Sequence, residues 1–293
     1  MTVFVCEDSL DGILTGIYEA WDSRLGHGNV RLELDQEDTL ELFCQYRPVK
    51  PDEEKAEKVL RTLRQRLGEE AVEHFCQASA CQDPRKADAL YRMVVLGLSL
   101  ERGSQVIDCL TYDPVATVME LSQKTWHEAH KLMGFVRFTQ LLSGVLYAKV
   151  RPEHQVLPFL APYFADRLRH ENWMIHDVGR GLVAIHRGNV GWILTEDKNL
   201  IEDQLLQVSE KEQKIQELWK TFHKSIAVEA RINPKLQRQL LAMRYRPYML
   251  EFSWFQRLFP FRTSDKVKGY RHCCKTTAAL IRPVHSCYTY PPA

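Results

Sequence analysis

The spacing of apolar residues changes at Gly134, and this change most constrains the fold. Before it, Asp113-Pro114 begins a segment with helical spacing that runs to about Leu132, since Asp caps helices and Pro suits the first helical position. After it, apolar and polar residues alternate, which is typical of strands. The sequence therefore predicts an α+β fold, in which an N-terminal strand-helix part and a helical middle precede a C-terminal domain with an antiparallel sheet covered by helices.

The N-terminal part is predicted to contain a strand at residues 3–6, a helix over residues 13–21 and a second strand at residues 30–34. No Gly-rich phosphate loop accompanies them, so this part carries no nucleotide-binding signature. Two amphipathic helices follow, one after Pro51 and one over residues 87–100. We predict three regions: the N-terminal strand-helix and helical region at 1–110, the C-terminal domain at 111–252, and a basic tail at 253–293 that is either disordered or foreign to the rest.

A β-hairpin is predicted from residues 135–142 and 146–150, with a three-residue loop that places Leu142 opposite Leu146. A two-residue loop would put Arg137 among apolar side chains, so the patterning favours three residues. The apolar face then holds Val136, Phe138, Leu142, Leu146, Ala148 and Val150, and the other face holds Arg137, Thr139, Tyr147, Lys149 and Arg151.

Further elements are predicted beyond the hairpin from the same spacing rules. They are a helix at 158–169, strands at 173–178, 182–186 and 190–194, a long helix at 200–226, and a shorter helix from Asn233-Pro234 to residue 243.

Basic residues concentrate at the C-terminal end, although the formal net charge is only +1. Residues 1–60 carry six Lys and Arg against fourteen Asp and Glu, whereas residues 230–293 carry twelve against two. A basic end fits a polyanionic partner such as nucleic acid, and it fits a solvated tail equally well. Neither a long apolar run nor a signal-peptide pattern occurs, so we expect a cytoplasmic protein without membrane contact.

Several strings in the chain resemble an uncharacterised bacterial family of probable DNA-metabolism proteins. The members of that family are typically encoded beside a radical-SAM protein thought to modify or repair DNA. Its C-terminal domain of unknown function is similar to one fused to proteins of the uracil-DNA glycosylase superfamily. The strings are residues 4–18 around Asp11-Gly12, His130-Lys131, Gly134 through Phe138, Tyr147-Ala148 with Pro152, Phe164 with Arg167, Trp173 through Asp177 with Arg180, Leu218-Trp219, Arg231 through Pro234, and Arg244-Tyr245.

This resemblance covers roughly residues 3–252 and implies two partners, DNA and the neighbouring radical-SAM protein. The chain departs from the family pattern after Arg244-Tyr245, where an aromatic residue is expected and Arg246-Pro247 is found. Residues 253–293 also look foreign to the family. No function is therefore assigned to the tail.

Planar and cationic side chains are concentrated between residues 126 and 192, and this indicates a recognition surface. Guanidinium groups suit bidentate phosphate contacts, and aromatic rings can stack on exposed bases. An ordinary solvated sheet face is the alternative interpretation. The predicted nucleic-acid-binding residues are Arg137, Tyr147, Lys149, Arg151, Arg167, Trp173 and Arg180.

Asp177 and Arg180 are close enough in sequence to form an ion pair that pins a turn, which is the structural alternative for this segment. If the segment is instead catalytic, Asp177 is the natural base and His176 or His130 the natural acid. The sequence does not show that these three side chains converge.

No metal and no cofactor are expected. His127 and His130 are spaced i, i+3, and the HExxH pattern of zinc enzymes is missing. The tail residues His272, Cys273, Cys274, His285 and Cys287 lack CxxC spacing, and no CxxxCxxC motif occurs. The chain therefore cannot itself be the iron-sulfur radical enzyme.

Three functions remain open from the sequence. The leading hypothesis is a DNA-binding accessory protein of a radical-SAM-linked DNA modification or repair system. The alternatives are a nucleic-acid-processing enzyme with an Asp/His acid-base site and a protein-interaction adaptor without DNA contact.

Overall fold

The computed structural model describes residues 1–35, 41–197, 207–231 and 233–252. The chain divides into two compact units between His127 and Glu128. Both units combine helices with a sheet, which confirms the predicted α+β class. The predicted tail at 253–293 and its cysteines lie outside the described residues.

Unit 1 is built on a parallel sheet. Its strands are β1 (Thr2–Cys6), β2 (Val30–Leu34) and β3 (Gln45–Pro48), in the order β2-β1-β3. Helix α1 (Leu10–Asp22) connects β1 to β2, as parallel strands require a crossover. The strand, helix and strand predicted at this end are confirmed, whereas β3 was not predicted.

Local chemistry explains how α1 begins and packs. Ser9 caps the helix, since its hydroxyl accepts a hydrogen bond from the Gly12 amide at 3.0 Å. The helix approaches β1 so closely at Gly16 that a Cβ there would lie 2.1 Å from Cys6 Sγ. Only glycine fits this contact.

Four more helices follow in the order α2 (Glu53–Leu67), α3 (Glu69–Ser79), α4 (Lys86–Ser99) and α5 (Asp113–Phe135). Helix α4 is tied to the first part of the chain by polar contacts. Arg92 donates to the carbonyls of His27 and Val30, and Asp88 accepts from the Leu32 amide at 3.2 Å. The division between the two units falls inside α5.

Unit 2 contains a five-stranded sheet in the order β4-β5-β6-β7-β8. Its elements are β4 (Thr139–Gln140), β5 (Leu146–Val150), α6 (Leu157–Arg167), β6 (Trp173–Asp177), β7 (Leu182–Arg187) and β8 (Gly191–Glu196). The sheet was predicted to be antiparallel and is mixed, because β5 and β6 pair in parallel. Helix α6 leads the chain back to the end of the sheet where β5 begins, so that β6 runs in the same direction as β5. This direction could not be predicted, because the alternation of apolar and polar side chains is the same in parallel and antiparallel strands.

The predicted hairpin is shorter than expected and displaced by one residue. Helix α5 extends to Phe135, and β4 pairs Gln140 with Leu146, so Leu142 does not face Leu146. The Leu141 amide donates to the Val145 carbonyl at 2.9 Å, which leaves a three-residue loop at 142–144. Gly144 adopts a φ of 84° there. Within the two observed pairs the parity is as predicted, because both partners move by one residue. The predicted faces are not retained as sets: Val136 and Phe138 precede β4, Leu142 is exposed, and Tyr147 is buried.

Two further helices complete the described chain, α7 (Glu210–Ser225) and α8 (Pro234–Leu240). Neither contains a buried residue. The predicted start of the long helix at 200–206 lies outside the described residues. Among the described helices, none combines the length and apolar character needed to cross a bilayer.

Candidate functional site at the crossover loop

The carboxyl ends of β5 and β6 carry a cluster of polar side chains in unit 2. In sheets with parallel strands, ligands commonly bind beyond the carboxyl ends of those strands. Here two loops meet at that edge: residues 151–156 after β5 and residues 178–181 after β6. We refer to residues 151–154 as the crossover loop.

Asp177 holds the crossover loop from one side through Arg180. The Asp177 carboxylate is fully buried and lies 3.1 Å from Arg180 Nη1. It also accepts the Gly179 amide at 3.0 Å and the Arg180 amide at 3.3 Å. Arg180 then donates to the carbonyls of Pro152 and Glu153. Burial raises the pKa of Asp177, and the guanidinium with these hydrogen bonds opposes that effect.

Glu128 holds the same loop from its amide side. This residue is 7% exposed, and its carboxylate accepts the Glu153 amide at 2.9 and 3.0 Å and the His154 amide at 2.7 Å. The Tyr245 hydroxyl donates to the same carboxylate at 2.6 Å. The carbonyls and amides of the crossover loop thus have separate charged anchors, which fixes the loop without a helix or strand of its own.

His154 and Glu153 are the side chains that this anchoring positions. His154 is buried, and burial lowers its pKa although the carboxylates of Glu128 and Glu153 favour the charged form. Glu153 is half exposed and pairs with Arg244 Nη1 at 2.6 Å. Two cations, Arg180 and Arg244, pair with the three carboxylates of this cluster. Because each charged group already has a partner, the arrangement stabilises a loop more directly than it performs proton transfer.

The three predicted acid-base residues do not share a site. Asp177 and His176 are neighbours in β6, so their side chains point to opposite faces of the sheet. His130 lies exposed on α5. The predicted combination of Asp177 with His176 is therefore corrected, and the reason is the two-residue period of a strand.

His176 instead belongs to a second polar group on the other face. Its Nδ1 lies 2.8 Å from the Tyr147 hydroxyl, and its Nε2 lies 3.4 Å from Asp197 Oδ2. Burial lowers the pKa of His176 despite Asp197, and burial raises the pKa of Tyr147. Both groups are therefore neutral at pH 7.

The predicted nucleic-acid-binding residues fall into two groups. Trp173 is fully buried and stacks on His186, with ring centroids 5.0 Å apart, and Tyr147 is also buried. Neither ring is open to a base, so both are removed from the predicted surface. The other five retain some exposure: Lys149, Arg151 and Arg167 are exposed, while Arg137 and Arg180 are partly buried.

Several of these cations already have partners inside the protein. Arg137 Nε donates to Glu251 at 3.0 Å, and its Nη1 donates to the Gly134 carbonyl at 2.8 Å. Arg180 is occupied by the crossover loop, and Arg167 lies 3.4 Å from the Tyr163 hydroxyl. Lys149 and Arg151 differ from them, since no carboxylate among the described residues lies within ion-pair distance of either.

Glu128 was missed from the sequence, although a signal was present. The buried stripe of α5 includes Val118, Leu121, Thr125 and Leu132, and Glu128 falls on it at helical spacing. A carboxylate on a buried stripe requires hydrogen-bond donors from elsewhere.

The described residues contain no group of three or more His, Cys, Asp or Glu side chains arranged to hold a metal ion.

Comparison with protein families gives one match. Residues 84–251 match the model of DUF4130, a domain of unknown function, and this range covers more than half of the chain. No curated protein and no solved structure matches the chain.

Proposed function

The chain belongs to the DUF4130 family, and we propose that it is a DNA-binding accessory protein of a radical-SAM-linked DNA modification or repair system. The DNA-binding part of this proposal is supported by side chains on unit 2. The radical-SAM part is supported by the family resemblance in the sequence, since this chain lacks the cysteine motif of such an enzyme.

The observation that carries the proposal is the pair Lys149 and Arg151. Both are exposed, and they are two residues apart in the chain, with Lys149 in β5 and Arg151 directly after its last residue. Lys149 Nζ lies 5.7 Å from the centre of the Tyr147 ring, and Arg151 contacts the Tyr248 hydroxyl. Both tyrosines are uncharged at pH 7, because burial raises the pKa of each, and among the described residues neither cation forms an ion pair with a carboxylate.

Such a pair suits the DNA backbone better than it suits a base edge. Phosphate contacts from Lys and Arg release condensed counterions and give affinity without sequence preference. Of the aromatic side chains nearby, Tyr147 is buried and Tyr248 is partly buried, so base stacking contributes little to this surface. We therefore propose binding to phosphates with weak sequence selectivity.

Fluorescence anisotropy with labelled single-stranded and duplex DNA tests the proposal. The double variant Lys149→Ala/Arg151→Ala should bind duplex more weakly than the wild type at low salt. Each lost phosphate contact should reduce the slope of log affinity against log salt by about 0.9 for duplex DNA. The slope should therefore fall by about 2 in total.

The matched control removes the same charge from another exposed surface. Lys58 and Arg66 are exposed on α2 in unit 1, and Lys58→Ala/Arg66→Ala should bind DNA as the wild type does. Equal affinity and salt dependence in all three proteins would refute the proposed surface.

A second candidate is the protein-interaction adaptor, and α7 favours it. This helix exposes Ile215, Leu218, Trp219 and Phe222 at helical spacing. Apolar stripes of this kind commonly bind another protein. Leu218→Glu/Phe222→Glu should abolish association with the radical-SAM protein in size-exclusion chromatography and leave DNA affinity unchanged. Co-elution of the variant at wild-type levels would count against an adaptor role for α7.

A further inference from the structure

Arg246 is a buried cation for which the described residues supply no counter-charge. It begins a short 3-10 turn, Arg246–Tyr248, and only 6% of the residue is exposed. Its Nε and Nη2 atoms are buried and have no hydrogen-bond partner. Among the described residues, no carboxylate lies within ion-pair distance of this guanidinium.

This arrangement is unfavourable unless something outside the described residues compensates it. A guanidinium stays charged at any physiological pH, and burying an unpaired charge is strongly unfavourable. The Phe252 ring, whose centre lies 5.0 Å from the guanidinium carbon, offsets a small part of that cost. Arg238 increases this cost, because it is a second cation and repels the charge of Arg246. Burial together with Arg238 lowers the pKa of Arg246.

Other partly buried arginines of unit 2 have carboxylate partners. Arg137 pairs with Glu251 at 3.0 Å, and Arg180 pairs with Asp177 at 3.1 Å. The fold thus supplies a carboxylate to each of these guanidinium groups. Arg246 has no such carboxylate among the described residues, and the charged group that acts on it there is a second cation, Arg238.

The two unpartnered donors also have a specific geometry. Nε–H and Nη2–H form one edge of the planar guanidinium, where two parallel N–H groups match two oxygens of a phosphate or carboxylate. Because this edge is screened from bulk water, charge-assisted hydrogen bonds formed there are stronger than at the surface. Arg238 nearby favours an anion with more than one negative charge, which points to phosphate.

We propose that Arg246, assisted by Arg238, is a receptor for a phosphate group, which binds in bidentate fashion to the Nε–Nη2 edge. The phosphate is either free inorganic phosphate or part of a nucleic-acid backbone. The proposal rests on the charges around Arg246 and is independent of DNA binding by Lys149 and Arg151.

Thermal unfolding of the full chain in phosphate and in chloride, at matched ionic strength, tests the site. Inorganic phosphate should raise the melting temperature of the wild type, because a ligand that binds only the folded state stabilises it. The same shift should occur in Arg66→Met, an exposed control on α2. In Arg246→Met the difference between the two salts should be clearly smaller than in the wild type, because only the general stabilising effect of phosphate and any contact at Lys149 and Arg151 remain.

Two further variants guard against a trivial loss of folding. Arg246→Lys keeps the charge and loses the bidentate edge, and it should bind phosphate about tenfold more weakly in isothermal titration calorimetry. Arg238→Gln should weaken binding to a similar or smaller extent. Without phosphate, Arg246→Met should be at least as stable as the wild type, because it removes a buried unpaired charge.

A short oligonucleotide lacking terminal phosphates distinguishes the two sources. A shift with inorganic phosphate that is clearly smaller in Arg246→Met identifies free phosphate as sufficient. A shift that only the oligonucleotide gives, and that the same variant clearly reduces, identifies the nucleic-acid backbone. If neither ligand gives a shift that depends on Arg246, or if Arg246→Met is strongly destabilised without phosphate, the site does not exist. The Lys149/Arg151 anisotropy experiment keeps its meaning in either case.

Discussion

Glu128 illustrates how a single side chain can stabilise a loop that is distant from it in sequence. Its carboxylate is buried, and its partners are the amides of residues 25 and 26 positions away and a hydroxyl 117 positions away. A carboxylate in such surroundings is tolerated because every oxygen accepts hydrogen bonds. Its removal would leave buried donors without acceptors.

Replacing Glu128 by Gln should therefore destabilise the protein by about 3 kcal/mol. The amide side chain would bring donors toward the amides of Glu153 and His154 and would remove the negative charge. Urea unfolding measures the difference. The control is Glu120→Gln on the same helix, where the carboxylate is exposed and pairs with Lys124. A loss for Glu128→Gln as small as that of the control would contradict the role given to this residue.

His154 should make stability depend on pH. Burial lowers its folded-state pKa below the ordinary value of 6.5. As the pH falls below about 6.5, the unfolded chain binds a proton before the folded chain does, so the free energy of unfolding decreases. Burial of His176 acts in the same direction.

Urea unfolding at pH 7.5 and pH 5.5 tests this sign. The wild type should be less stable at pH 5.5, and His154→Gln should lose less stability between the two values. The exposed His170→Gln should behave as the wild type does. A wild type that gains stability on acidification over this range would show that the assigned direction is wrong.

At the scale of elements, the alternation of apolar and polar residues was sufficient to predict where strands lie. It was insufficient to predict how neighbouring strands pair. Strands β6, β7 and β8 were predicted because burial on one face imposes a period of two residues. The parallel pairing of β5 with β6 has no such signature, since it depends on where α6 returns the chain. The Asp177–Arg180 pair could be predicted from its spacing, whereas the anchor at Glu128 joins residues too distant in sequence to be recognised.

Asp177→Asn should reveal whether that pair is structural. Loss of the buried charge weakens the hold of Arg180 on the crossover loop, and we expect a cost of about 2–4 kcal/mol in the free energy of unfolding. Asp166→Asn is the matched control, because Asp166 and Arg169 form the same i, i+3 pair in an exposed position. That control should cost under about 0.5 kcal/mol.

DNA affinity should be unchanged in Asp177→Asn at a temperature where the variant is folded. A variant with wild-type stability that fails to process a nucleic-acid substrate would instead support a catalytic Asp177. The two outcomes separate the structural interpretation from the enzymatic one.

At the scale of the whole molecule, the family boundary and the structural boundary do not coincide. The DUF4130 match begins at residue 84, whereas unit 1 continues to His127. Helix α4 lies within the matched range, yet its Arg92 and Asp88 bind backbone groups of residues 27–32. The matched segment thus includes a helix, α4, whose hydrogen-bond partners lie before residue 84 and outside the match.

A fragment of residues 84–252 should therefore be less well folded than the full chain. Removal of β2 would expose apolar side chains of α4 such as Leu90 and Met93, which are fully buried in the structure. Binding of the dye ANS should be stronger for this fragment than for a fragment of residues 128–252. Equal dye binding by the two fragments would show that α4 does not need the N-terminal strands.

The double anchoring of the crossover loop also has a kinetic consequence. Loop amides usually exchange their protons with solvent rapidly, because nothing but water accepts them. The amides of Glu153 and His154 can exchange only when the Glu128 carboxylate releases them. In deuterated water these two positions should retain hydrogen as long as the strands beside them do. A ligand arriving at this edge would then meet a loop already fixed in one conformation, with little ordering entropy left to lose.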